Sequence, residues 1–173
     1  MDASAISQII FLIILLILSA FFSSAETALT TVNKIRMRTL ADDGNKRAER
    51  VLRITDDSHK MLSAILIGNN IVNLSASSLA TTLAIKLWGS VGAGIATGIL
   101  TFLILVFGEI SPKTFATLYA DQISIAYSSI IGFLMKILTP VIFLVNQFSM
   151  GFLFLLHVDP KAVSYTHLTL PTT

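Results

Sequence analysis

The chain contains no cysteine, so disulfides, thiolate metal sites and cysteine nucleophiles are excluded at once. Charge is scarce as well: 13% of the 173 residues are Asp, Glu, Lys or Arg, where a soluble domain carries about a quarter. The three histidines, His59, His157 and His167, stand far apart and form no ligand spacing, which argues against a histidine zinc site. Neither a nucleophile–base pair nor a histidine metal motif falls in an apolar stretch, so the chain is not expected to be an enzyme. What it has in excess is apolar residue, 54% of the sequence, with a mean hydropathy of +0.79 gathered in long runs. An all-α integral membrane protein is the expectation.

The few charges are unevenly placed. Eight of the twelve basic residues lie between Lys34 and Lys60. Such a cluster suits nucleic acid in a soluble protein, but between two apolar runs it reads as a cytoplasmic loop, residues 33–60. No nucleic-acid partner is expected. The first run, residues 5–31, carries Leu18-Ser19-Ala20, faintly like a cleavage site, yet lacks the basic n-region of a signal peptide and is preceded by Asp2. It should therefore span, with the N-terminus outside. In the loop, Asp42-Asp43-Gly44-Asn45 is a turn signal dividing two short helices. Leu40, Val51, Leu52 and Ile54 give these an apolar face for the membrane surface.

A second span over 61–87 ends at the interface anchors Lys86 and Trp88. After a turn at Gly89 and Gly92, a third span covers 91–119 and holds Gly94-x-x-x-Gly98, a pattern read as helix packing. Another apolar stretch, about 122–157, is interrupted at Thr139-Pro140. Its halves fall short of the roughly 20 residues a full crossing needs. A juxtamembrane helical belt or re-entrant hairpin on the cytoplasmic side is preferred, with a fourth span as the alternative. Residues 164–173 have no periodicity and resemble vector read-through, so they are set apart as a non-native tail. The natural protein is expected to continue past Val163.

Polar side chains at membrane depth are costly and mark a partner, a cavity or an ion path. The first span offers Ser23, Ser24 and Glu26. Ser23 and Glu26 share a face, although membrane serines often bond their own helix, and Glu26 has Lys34 or Arg36 as a local ion partner. In the second span Asn69 and Asn73 stack one turn apart, beside Asn70 and continued by Ser77 and Thr81. Interhelical bonding by asparagine is the plain alternative. In the third, Pro112 blocks the usual helix bond to the Gly108 carbonyl, next to Glu109. Helix breaks of this kind build cation sites in transporters; a simple kink with Glu109 bonded to Lys113 is the bland reading. Carboxylate, amide, hydroxyl and carbonyl oxygens are hard donors, suited to magnesium, calcium or manganese rather than copper or zinc. The expectation is that they converge from three spans on one small pocket.

Three motifs in order, Phe-Ser-Ser-Ala-Glu-Thr-Ala-Leu, Gly-Asn-Asn-Ile-Val-Asn and Phe-Gly-Glu-Ile-Ser-Pro-Lys, resemble the transmembrane domain of the cyclin M (CNNM) and CorB/CorC magnesium transporters. The resemblance covers residues 1–159 and implies a homodimer in the inner (plasma) membrane, each subunit giving three spans and a juxtamembrane belt. It implies a metal site on Ser23, Asn69, Asn73, Glu109 and the Gly108 carbonyl, with Pro112 at the helix break and Ser24, Glu26, Asn70 and Lys113 as accessory residues. Many bacterial relatives read Ser-Gly-Ser-Glu where this chain has Ser-Ser-Ala-Glu, so the hydroxyl beside Glu26 is missing. The implied activity is Mg2+ export, with Na+ as an exchanged ion; a Mg2+-sensing scaffold that regulates another transporter is the alternative. A membrane-damaging haemolysin, an old label for relatives, fits poorly because no export signal is credible. The family's nucleotide binding sits in a cytosolic CBS pair, which is not expected within this chain.

Overall fold

In lipid, a helix satisfies its own backbone where an open sheet would not, and the computed structural model accordingly has helices and no strand among the residues it describes, 3–155. The tail 164–173, His157 and His167 lie outside them. Contacts divide the chain into two units, residues 1–136 and 137–173.

In the first unit, α1 (Ala3–Thr31) and α4 (Ser58–Trp88) pack side by side. Lys86 Nζ donates to Ser4 Oγ at one end, and Ser19 Oγ approaches Asn69 Oδ1 midway, so the two helices are antiparallel. Gly68 permits the close seam: a Cβ built there would lie 2.5 Å from the Phe22 ring. Gly89, at φ +71°, turns the chain back into the third span. That span is composite, with α5 (Ser90–Leu103), a π-helical segment (Ile104–Ile110) and α6 (Ser111–Leu118). The Ser111 N–H donates to the Val106 carbonyl five residues back. The break expected before Pro112 therefore takes the form of one widened turn, and the backbone at Ile110 and Ser111 stays right-handed helical. Pro112, at the start of α6, has no N–H to give the preceding turn, so the helix continues past it with one backbone bond fewer.

Three helices, Ser4–Thr31, Ser58–Trp88 and Val91–Leu118, are long and apolar enough to cross a membrane. Their most apolar windows are only 22%, 28% and 11% buried within the chain, so lipid or a partner must cover the rest. Large exposed side chains such as Ile10, Ile17, Leu66, Leu74 and Phe102 make that outer surface.

The basic loop folds as two capped helices, α2 (Lys34–Asp42) and α3 (Lys46–Asp56). Asn33 Oδ1 accepts the Arg36 N–H, and Asn45 Oδ1 accepts those of Arg47 and Ala48. Between them Gly44 takes φ +89° at the expected turn. Val51 and Ile54 of the expected apolar face are buried, with Met37 and Ala48, whereas Leu40 and Leu52 are half-buried. Next comes α7 (Ala120–Ile137), whose Asp121 accepts the Asn33 N–H at 3.1 Å and pairs with Arg36 at 3.2 Å. Ile123 joins Ala28 and Ala116 in one buried cluster, against which Tyr127 packs.

In the second unit, α8 (Thr139–Leu155) begins just before Pro140. By length and composition a fourth crossing exists only if α7 and α8 are counted together.

Gly94 and Gly98 meet nothing within 4 Å. The packing expected of them does not occur among the described residues.

Candidate functional site

The polar face of α1 meets that of α4 and the π segment at one level. Ser19 is 1% exposed, and its hydroxyl donates to Asn69 Oδ1 at 3.5 Å, longer than a full O–H···O bond. Gly108 closes this level from the third span, since a Cβ built on it would stand 2.9 Å from Ser19 Oγ. Three spans thus meet here, and the glycine lets the third backbone in.

Two further oxygens flank the junction, and both are orphans. Ser23 Oγ is wholly buried and Asn73 Oδ1 is a buried atom on a half-buried residue. Neither has a hydrogen-bond partner among the described residues. Leaving such a group unsatisfied costs about 1–3 kcal/mol. A four-residue step is about 6 Å of helix, so on antiparallel helices Ser23 lies one turn toward the basic loop and Asn73 one turn the other way. The oxygens form a column about 12 Å tall rather than a ring around one point. Magnesium binds oxygen at about 2.1 Å and keeps several waters. Ser23 and Asn73 therefore suit successive positions of an ion or its hydration shell, with Ser19, Asn69 and Gly108 between them.

Glu109, next to Gly108, is half-buried and makes no hydrogen bond or ion pair to any described residue. Lys113, the partner of Glu109 in the simple-kink alternative, is instead 3.4 Å from Glu26. This pair links the first and third spans and replaces the local Glu26 contacts with Lys34 or Arg36 that spacing suggests. Ser24 is off the column: its hydroxyl donates to the Ala20 and Phe21 carbonyls at 2.8 and 3.0 Å. It lines a separate, largely apolar cavity of about 490 Å3 with Pro112, Ser111 and Tyr127. Asn70 is exposed, about 100° around the helix from Asn69.

Ser19 is the residue that sequence reasoning passed over. The signal was present, because Ser19, Ser23 and Glu26 recur at helical spacing on one face. No group of three or more His, Cys, Asp or Glu residues able to hold a metal occurs among the described residues. Any ion here would rest chiefly on neutral oxygens; Glu109 is the carboxylate next to Gly108 in the chain.

Residues 10–169 match the family described as the cyclin M transmembrane N-terminal domain. The chain is 46% identical over 150 residues to a UPF0053 protein of Haemophilus influenzae, covering 86% of this chain and 36% of that protein. It is 41% identical over 129 residues to the UPF0053 inner membrane protein YfjD of Escherichia coli, covering 75% and 30% respectively. A chloroplastic DUF21 domain-containing protein of Arabidopsis thaliana is 37% identical over 159 residues, 91% of this chain and 24% of its own length. The chain thus spans about a third or less of these curated relatives.

Proposed function

This chain belongs to the cyclin M transmembrane-domain family, and from that premise we propose that it carries a divalent cation, magnesium by the chemistry of its donors, along the oxygen column. One observation carries the reading: the buried, unpartnered oxygens of Ser23 and Asn73 sit on either side of the Ser19–Asn69–Gly108 junction. A fold that keeps two costly orphans on one seam gains most from a ligand that meets both in turn. Glu109 supplies the negative charge that a doubly charged ion needs at membrane depth.

In this reading the protein is a multi-pass inner-membrane exporter that exchanges Mg2+ for Na+, with its N-terminus outside and the basic loop in the cytoplasm. The third span, 11% buried in its apolar window and open at Gly94 and Gly98, is the face offered to a second subunit. The test is magnesium flux in proteoliposomes. Asn73→Ala and Glu109→Ala should each lower flux at least tenfold while helix content stays the same by circular dichroism. Flux unchanged in both variants removes the site. Wild-type protein that binds magnesium calorimetrically but moves none is a sensor instead of a transporter.

A further inference from the structure

The oxygen column makes no use of the cations gathered at the other end of the second span. A cavity of about 350 Å3 lies between α3 and α7, beside the first turn of α4. Arg50, Arg53, Lys60 and Lys136 line it, together with Asp57 and Ser129. The Arg50 guanidinium donates through Nη1 to Ser129 Oγ and so bridges the cavity from α3 to α7.

The carboxylate in the lining and the one paired with Arg53 are both engaged. Asp57 Oδ1 caps α4 by accepting the Lys60 N–H at 3.1 Å. Glu49, which is not in the lining, pairs with Arg53 at 2.8 Å. Four cations against these two carboxylates leave a surplus of two positive charges. Neither Lys60 nor Lys136 is held by a carboxylate among the described residues.

Position and surroundings identify the anion. Asp57, the N-cap of α4, and Lys60 in its first turn stand where the second apolar span begins. Phe133, which lines the cavity, is 63% exposed, and Ile130 one turn before it on α7 is 50% exposed. A soluble phosphate has no use for apolar side chains at its side. A phospholipid does: its phosphate meets the cations while its acyl chains lie along the exposed apolar residues.

We propose that this cavity binds the phosphate headgroup of an anionic phospholipid. Basic pockets between helices at a membrane face recognise such headgroups, and each cation contributes about 1 kcal/mol, which is about fivefold in affinity. The reading is independent of cation transport.

The test is native mass spectrometry of the full chain with phosphatidylglycerol, phosphatidylcholine and inorganic phosphate as separate probes. Wild-type protein should retain phosphatidylglycerol in preference to phosphatidylcholine. The double variant Lys60→Gln/Lys136→Gln should lose roughly 25-fold in phosphatidylglycerol affinity, fivefold for each cation. Arg38→Gln/Lys46→Gln removes two exposed cations of the same basic segment outside the cavity, and should stay within about twofold of wild type. An equal loss in that control would mean diffuse attraction and would overturn the site. Equal binding of the two lipids, or displacement of phosphatidylglycerol by inorganic phosphate at comparable concentration, would overturn it too. Should the double variant misfold, Arg53→Gln at its exposed position carries the same test, with about a fivefold loss expected.

Discussion

The same three spans meet twice along their length, and the two meetings have opposite contents. Toward the basic loop they enclose Ser19, Ser23, Asn69 and Asn73 against the Gly108 backbone. Toward the N-terminal end of α1 they line an open cavity of about 230 Å3 walled by apolar side chains, among them Ile9, Leu12, Leu83, Trp88, Ile99 and Leu103. Seven residues of α1, about 10 Å, separate Leu12 from Ser19. In the proposed reading, an ion at the column faces an apolar-walled space in one direction, which disfavours water and charge. The contrast gives the seam a side. In the proposed transport reading, the column holds the ion and the apolar cavity is the barrier that the cycle opens.

The largest expected effect comes from filling the polar meeting. Gly108→Val puts branched carbon where a single Cβ already stands 2.9 Å from the Ser19 hydroxyl. Magnesium flux in proteoliposomes should fall at least tenfold, and thermal stability by the 1–3 kcal/mol typical of overpacking. Ser19→Ala leaves the packing intact and removes only an oxygen, so flux should fall severalfold with little change in melting temperature. Normal flux in Ser19→Ala would remove Ser19 from the active oxygens and leave those of Ser23, the second span and the third span.

The apolar meeting is tested in the opposite sense. Leu83 is 7% exposed and lines the chamber. Leu83→Asn introduces an amide where none exists and should raise the basal leak of small cations severalfold. It also costs stability, on the order of a few kcal/mol, for the buried polar group and lost packing. A tight barrier in this variant would show that the chamber is not what closes the path.

The three spans were legible because each is a long apolar run, and the turn at Asp42–Asn45 because turn and cap chemistry is local. Tertiary features were not. Ser19 matters only because the antiparallel register sets it against Asn69, and no spacing within α1 reveals what lies opposite. The π segment depends on one extra residue per turn between Ile104 and Ile110, which an apolar stretch does not announce. Spacing offered Glu26 two basic residues nearby and Lys113 an acid four residues back, yet those two pair with each other across 87 positions because α1 packs on α6. Gly68 is a middle case. It stands out as the residue before two asparagines, but its purpose, room for the Phe22 ring, is visible only in the packed seam. Gly68→Ala should destabilise the chain by about 1–3 kcal/mol, measured by thermal denaturation in detergent, and Phe22→Leu should recover part of that loss.

The smallest effect concerns the Glu26–Lys113 pair, which lies beyond the column toward the basic loop. Both side chains are more than 40% exposed within the chain, so screening limits their attraction. A double-mutant cycle with Glu26→Gln and Lys113→Gln should give a coupling of about 0.2–1 kcal/mol. Flux should change less than in Ser19→Ala, because neither group reaches the Ser19–Asn69–Gly108 level. A coupling near zero with unchanged flux would reduce the pair to a surface contact. A flux loss in Glu26→Gln as deep as that of Glu109→Ala would extend the polar region a further turn toward the basic loop. The comparison would then change, since the column would run from Asn73 past Ser23 to the foot of the first span.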